Sequence, residues 1–213
     1  MNILFDCVMP KPLASISHGS TSIWGDRVTL KSGHKIILNA SSGKGKSTFS
    51  STIFGLRTDY TGTIYYDDRN IRTLTIDDWV TIRKQKISIV FQDLQLFHNL
   101  TVLENLMLKN NLTRYKSEQE IIQMLAAFDI EHKLQEPCGL LSMGQQQRVA
   151  IIRSLCQPFE WLILDEPFSH LDEANSRNCL ALISEECDKQ GAGFVLTSLD
   201  DDSKFPYDYE LNL

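Results

Sequence analysis

Lys35-Ile36-Ile37-Leu38-Asn39-Ala40-Ser41-Ser42-Gly43-Lys44-Gly45-Lys46-Ser47-Thr48 runs from an apolar strand into a small, glycine-bearing turn and on toward a helix. That order matters. A polyphosphate needs many donors at close range, which bulky side chains would crowd out, so a loop of small residues with exposed backbone N–H groups suits it. The helix predicted from Lys46 adds a partial positive charge at its start. Ser41, Ser42, Gly43, Lys44, Gly45, Lys46, Ser47 and Thr48 are therefore the candidate phosphate-binding residues. Lys46 is placed to reach the β- and γ-phosphates, and the Ser47 hydroxyl to ligate Mg²⁺. Phe49, Ile53 and Leu56 fall at helical spacing and are predicted to form the buried face of that helix. Ala40 stands where the phosphate-loop pattern has its first glycine. A methyl group is tolerated there only if φ is not positive.

Downstream, Trp161-Leu162-Ile163-Leu164-Asp165-Glu166 is an apolar strand ending in two acids. At the mouth of a phosphate loop the first acid suits Mg²⁺, through water, and the second suits a general base for an attacking water. Asp165 is thus a candidate metal residue and Glu166 a candidate catalytic one.

Short apolar runs alternate with amphipathic stretches along the chain, which predicts a parallel sheet covered by helices. Thr63–Tyr66, Ile87–Phe91 and Gly193–Thr197 read as further strands, and residues 206–213 as a short last one. From about Leu94 to Leu141 the pattern turns helical, with Leu103, Leu106 and Met107 on one face, Ile121, Leu125 and Phe128 on another, and a loop over Asn110–Ser117. Asp172 is a predicted N-cap for a helix that stops at Gly191.

Composition sets outer limits. Hydrophobic residues make up 42% and charged residues 23%, ordinary for a globular domain. A net charge of −6 argues against nucleic acid as a partner. No run approaches the ~20 apolar residues of a spanning helix, and no basic-then-apolar leader opens the chain. The five cysteines (Cys7, Cys138, Cys156, Cys179 and Cys187) are scattered, with no C-x-x-C pair, and read as reduced, buried thiols of a cytosolic protein.

Leu141-Ser142-Met143-Gly144-Gln145-Gln146-Gln147-Arg148-Val149-Ala150 narrows the field. It resembles the signature of the ABC family, normally L-S-G-G-Q followed by a Q-R-V helix, and matches four of the five core positions. The resemblance covers nearly the whole chain. It implies an α/β fold: a P-loop NTPase, RecA-like core with a parallel sheet, an antiparallel β subdomain and a helical insertion. The expected division is a single domain, 1–213, with residues 1–93 and 142–213 as core and 94–141 as the inserted helical subdomain.

It also implies that Ser142, Gly144 and Gln145 face the γ-phosphate held by another subunit, so that ATP and Mg²⁺ are sandwiched in a head-to-tail dimer with itself or a paralogous ATPase. Gln92 resembles the Q-loop glutamine, which approaches Mg²⁺ and the attacking water; with Glu166 and Lys46 it completes the catalytic set. Ser169-His170-Leu171-Asp172 resembles the D-loop. Motor partners would be separate transmembrane permease chains, with this chain cytoplasmic and peripheral on the inner face of the membrane. Val90–Phe97 and Gln146–Ile151 are most similar to the lipoprotein-release, macrolide-export and cell-division group.

Three positions depart from that pattern: Ala40, Met143 in place of a signature glycine, and Ser198 where Thr197-Ser198-Leu199-Asp200 would usually carry a histidine. No aromatic is placed clearly to stack on adenine; Ile16-Ser17-His18-Gly19 lies near the expected place and Trp24 too late. The reading is an ATPase that powers a membrane partner. The alternative is a nucleotide-gated regulatory subunit that scarcely hydrolyses. A chromosome-structuring ATPase would need a long coiled coil, and a small-molecule kinase would not need the Ser142 motif.

Overall fold

The computed structural model describes residues 1–19, 22–41, 43–198 and 205–213. Its strands are β1 (Ile3–Pro10), β2 (Arg27–Leu30), β3 (Lys35–Asn39), β4 (Tyr60–Tyr66), β5 (Arg69–Asn70), β6 (Ile87–Val90), β7 (Trp161–Asp165), β8 (Gly193–Ser198) and β9 (Tyr209–Asn212). Its helices are α1 (Lys46–Ile53), α2 (Ile76–Gln85), α3 (Val102–Asn110), α4 (Glu118–Ala127), α5 (Met143–Leu155) and α6 (Glu173–Gln190).

Two sheets form. The larger runs β6-β7-β8-β3-β9 with every neighbour parallel, and the smaller runs β2-β1-β4-β5 antiparallel. Strands β3, β6, β7 and β8 are largely buried on both faces, which explains their nearly continuous apolar runs, while the edge strand β9 is mostly exposed and polar. Alternation still decides which side each residue serves. Ile37, Leu162, Leu164, Phe194 and Leu196 pack with α5, α6 and the helices between β6 and α5. Ile36, Leu38, Trp161, Ile163 and Val195 pack with α1 and the antiparallel sheet. The architecture is an α/β phosphate-loop core carrying an antiparallel sheet and interspersed helices, as the sequence predicts.

Several boundaries move. α1 ends at Ile53, and Leu56 lies beyond it, 54% exposed. Gly55 turns the chain at φ 70 against the Trp79 ring, so the helical spacing is broken before Leu56 is reached. The strand read from Thr63 begins at Tyr60 and pairs antiparallel with β1. The strand read through Phe91 stops at Val90, because the Leu94 N–H turns back to the Phe91 carbonyl.

Helix also starts later than Leu94. Leu94 and Gln95 take φ 59 and 50, and α3 opens only at Val102, behind a Thr101–Glu104 capping box. The buried Asn105 amide holds that intervening loop: Nδ2 donates to the carbonyls of Phe97, Leu100 and Thr101, and Oδ1 accepts the Phe97 N–H.

Asp172 caps α6 through the Asn175 N–H at 2.8 Å, and Gly191 ends it at φ 61. Four cysteines are buried and burial pushes the Cys156, Cys179 and Cys187 thiols up to about 12, while Cys7 is exposed. The reading of all five as buried thus fails at Cys7, which sits at φ 52 where the β1–β4 register shifts. No helix among the described residues is long and apolar enough to cross a membrane.

Candidate nucleotide site

Four parallel strands end side by side, and their ends carry the chemistry, the usual place for ligands in an open α/β sheet. β3 leads into the phosphate loop, β6 into Phe91 and Gln92, β7 into Asp165 and Glu166, and β8 into Thr197 and Ser198. Gly43 and Gly45 take φ 79 and 104, a conformation that side chains resist, and Gly45 is the N-cap of α1. Ala40 is absent from the positive-φ residues, so the backbone accommodates its methyl group. Ser41 and Gly43 are exposed, and the Ser41 carbonyl accepts the Lys44 N–H. Ser42, together with Leu199 and Asp200 of the segment after Ser198, lies outside the described residues.

The lysines divide their tasks. Lys44 Nζ donates to the Ser17 carbonyl at 3.0 Å, fastening the loop to the segment that follows β1. Lys46 is 6% exposed; its Nζ donates to the Ala40 carbonyl at 2.7 Å and pairs with Glu166 Oε1 at 3.2 Å. Ser47 Oγ donates to Gln92 Oε1 at 3.0 Å, and Gln92 Nε2 donates to Glu166 Oε2 at 3.2 Å. Lys46, Ser47, Gln92 and Glu166, which are distant in sequence, therefore form one connected polar chain. Thr48 follows on α1, its carbonyl accepting the Thr52 hydroxyl.

Asp165 is buried at 3% exposure. Burial pushes its carboxyl above the ordinary range and the Glu166 charge adds to that, while the nearby Ser47 and Thr197 hydroxyls and the Lys46 cation pull it back. Glu166 takes φ 48, a left-handed conformation that costs a non-glycine residue ~1–2 kcal/mol. Thr197 is a further residue of the site, one that the sequence pattern alone does not single out. Its hydroxyl donates to Asp165 Oδ1 at 3.0 Å and accepts the Glu166 N–H at 3.1 Å.

Ser142, Gly144 and Gln145 sit at the start of α5. Ser142 is the N-cap; its Oγ accepts the Gln145 N–H, while Gln145 Oε1 accepts the Ser142 N–H. Among the described residues, no hydrogen bond or ion pair joins these three to the phosphate loop. α5 instead braces the turn after Glu166. Gln147 donates to Ser169 Oγ and accepts the His170 N–H, and a Cβ on Gly144 would come within 2.9 Å of the His170 carbonyl. Met143 is 48% exposed at the first turn.

At the other end of α5, Arg153 donates to the carbonyls of Leu94 and Gln95. Sequence gave no reason to select it, because its targets are backbone atoms. Trp24 is a core residue, edge-on to Phe5 and Phe49, and His18 Nε2 pairs with the Leu13 carbonyl.

Known proteins resemble this chain in sequence and fold. Residues 25–169 match the family described as ABC transporter. The glucose import ATP-binding protein GlcV of Saccharolobus solfataricus is 35% identical over 178 residues, 81% of this chain and 50% of its own length. The lipoprotein-releasing system ATP-binding protein LolD of Psychrobacter arcticus is 28% identical over 162 residues, 74% of this chain and 72% of its own. The chain spans about half the length of the first curated relatives it matches. Among solved structures, the dimeric structure of MJ0796, a bacterial ABC transporter cassette, superposes with a TM-score of 0.82 at 26% identity, covering 100% of this chain and 94% of that one. Import and release proteins both appear among the relatives, so no subgroup stands out. With its family match, its phosphate loop and its Ser142 motif in one fold, this chain belongs to the ABC transporter family, as a nucleotide-binding domain.

Proposed function

We propose that the chain binds and hydrolyses ATP and, as one half of a head-to-tail dimer, drives a separate membrane-embedded partner. The observation that carries this reading is the polar chain from Ser47 through Gln92 to Glu166 and Lys46. It joins a phosphate-binding loop to a carboxylate suited to activating water.

In this reading the phosphate-loop N–H groups and Lys46 hold the β- and γ-phosphates. Ser47, Gln92 and Asp165 offer a hydroxyl, an amide oxygen and a carboxylate, the all-oxygen donor set that suits Mg²⁺. When bound, the ion supplies charge neutralisation on the phosphate oxygens. Gln92 orients the attacking water and Glu166 accepts its proton as the water oxygen bonds to the γ-phosphorus. The bond from that phosphorus to the bridging oxygen breaks, and ADP leaves with the electron pair. Ser142, Gly144 and Gln145 would present the first turn of α5 to the γ-phosphate held by the opposite subunit.

Residues 94–141 would act as the helical subdomain, with residues 1–93 and 142–213 as core. Phe97 and Leu140, 57% and 76% exposed near the Gln92 turn, are suited to receive a cytoplasmic loop of the membrane partner. The chain would then lie on the inner face of the membrane. The likeness of Val90–Phe97 to the lipoprotein-release, macrolide-export and cell-division group supports a partner of that kind.

A second reading has its own support. Ser198 ends β8, and Met143 projects from the first turn of α5. Both favour a nucleotide-gated subunit that closes on ATP and turns over slowly. Steady-state hydrolysis of Mg²⁺-ATP by wild type, Glu166→Gln and Lys46→Ala separates the two. Turnover that Glu166→Gln abolishes supports the motor. Background rates in all three, with ATP held by wild type and released by Lys46→Ala, support the gated subunit. Absence of ATP binding by wild type defeats both.

A further inference from the structure

We propose that Thr197 is the positioning residue that sets both carboxylates of the site at once, an inference that rests on the ATP and Mg²⁺ reading above. Its warrant begins with strand register. Asp165 and Thr197 are partners in the parallel β7–β8 ladder, so their side chains stand on the same face of the sheet. Thr197 is completely buried, and its hydroxyl has one proton to give and lone pairs to receive. The proton goes to Asp165 Oδ1, and the acceptor capacity goes to the Glu166 N–H. One oxygen therefore engages one side of the metal-facing carboxylate and pins the peptide of the residue proposed as base.

That second bond falls at a strained point. Glu166 is held at φ 48, where its side chain reaches both Lys46 and Gln92. Relaxed to an extended conformation, residue 166 would direct its carboxylate elsewhere. The neighbouring Ser198 cannot take this role, because alternate residues of a strand face opposite sides of the sheet. Thr197 thus ties the end of β8 to the chemistry independently of whatever residue 198 contributes.

The test compares Thr197→Val, which keeps the shape and removes the hydroxyl, with Thr197→Ser, which keeps the hydroxyl. Two quantities are read: affinity for a fluorescent ATP analogue as Mg²⁺ is titrated, and turnover. The valine variant is expected to need about 10–100-fold more Mg²⁺ for half-maximal tight binding and to lose turnover by a similar factor, the usual range for an outer-sphere partner. Its affinity without Mg²⁺ should match wild type, and the serine variant should match wild type in every measurement. A valine variant with the wild-type Mg²⁺ dependence overturns the proposal. So does one that loses nucleotide equally with and without Mg²⁺, since that marks a general packing defect. If wild type itself fails to bind nucleotide, the functional reading and this inference fall together; if wild type binds and valine behaves identically, only the inference falls.

Discussion

Lys46 Nζ lies 3.2 Å from Glu166 Oε1, so the cation suited to phosphate and the carboxylate suited to water hold each other in place. Both groups are largely withdrawn from solvent, where their attraction is stronger than at a surface. A bound triphosphate would compete for Lys46 and leave Glu166 to Gln92. Replacing Glu166 with glutamine removes that competition together with the proton acceptor. The Glu166→Gln variant should therefore bind ATP at least as tightly as wild type while turning over ~10²–10⁴-fold more slowly. Equilibrium binding and steady-state hydrolysis on the same preparation check this. Weaker binding by the variant would contradict it.

Gly144 is proposed to meet a phosphate, but its surroundings in this chain impose a separate demand. A Cβ there would sit 2.9 Å from the His170 carbonyl, tighter than backbone can absorb. Alanine normally favours a helix by ~1 kcal/mol over glycine. Here Gly144→Ala should instead destabilise the fold by ~1–3 kcal/mol, the range for overpacking. Gln147→Leu should cost less, about 1 kcal/mol, because it removes two hydrogen bonds whose partners, Ser169 and His170, are exposed to water. Denaturant unfolding measures both. Stabilisation by Gly144→Ala would show that the turn after Glu166 moves freely away from α5.

Much of this was legible in the sequence because the strongest signals are local. Gly43 and Gly45 announce the phosphate loop through the left-handed angles they adopt. Asp172 and Gly191 mark the ends of α6 by capping chemistry. The predicted loop over Asn110–Ser117 ends where α4 begins, at the Ser117–Glu120 capping box, and the equally readable Thr101–Glu104 box marks the start of α3. Other features could not be read this way. The end of α1 depends on Gly55 meeting Trp79, and the loop after Gln92 depends on Asn105 and Arg153 binding backbone carbonyls. The role of Thr197 requires knowing that β8 lies beside β7 in a particular register. Contacts to backbone, and contacts across a ladder, leave no pattern in a single sequence.

α6 and the segment before α4 are joined by a buried ion pair. Lys116 Nζ reaches both oxygens of Glu186 at 2.8 and 2.9 Å, and the Tyr115 hydroxyl donates to the same carboxylate. The two charged side chains are 9% and 3% exposed. Removing one partner strands a buried charge, so Lys116→Met should destabilise by about 3–5 kcal/mol. Lys116→Met with Glu186→Leu should recover part of that loss, because no charge is then left unpaired. A double variant no better than the single would show that packing around the two side chains, rather than their charge, sets the stability.

Lys109, on α3, supplies a pH dependence. Burial first, and the neighbouring Arg153 guanidinium second, push its ammonium down from 10.5 to about 8. The folded chain therefore releases this proton before the unfolded chain does. Between those two values the unfolded state binds more protons, and stability rises with pH; below the lower value the penalty is fully present. Lys109→Met escapes the penalty and should melt above wild type at about pH 7, with its advantage shrinking toward pH ~10. Thermal midpoints of both proteins across that interval test it. An offset that stays constant with pH would mean that Lys109 is charged at no cost inside the fold.

Ser198 bears directly on how fast the chain can turn over. It follows Thr197 at the end of β8, and its backbone pairs in register with Asn39, immediately before the phosphate loop. The family pattern carries a histidine at this position, and the resemblance implies that its imidazole donates to the γ-phosphate. Loss of one preorganised donor costs enzymes ~10²–10³ in turnover, so supplying one by Ser198→His should raise kcat by at least ~10-fold with little change in KM. That split matters, because a gain confined to KM would mean that histidine improves ATP binding without favouring the transition state. If neither constant moves, residue 198 does not limit turnover. Met143, exposed at the first turn of α5, then becomes the position to change, and Met143→Gly should restore the close backbone approach that a flexible side chain blocks.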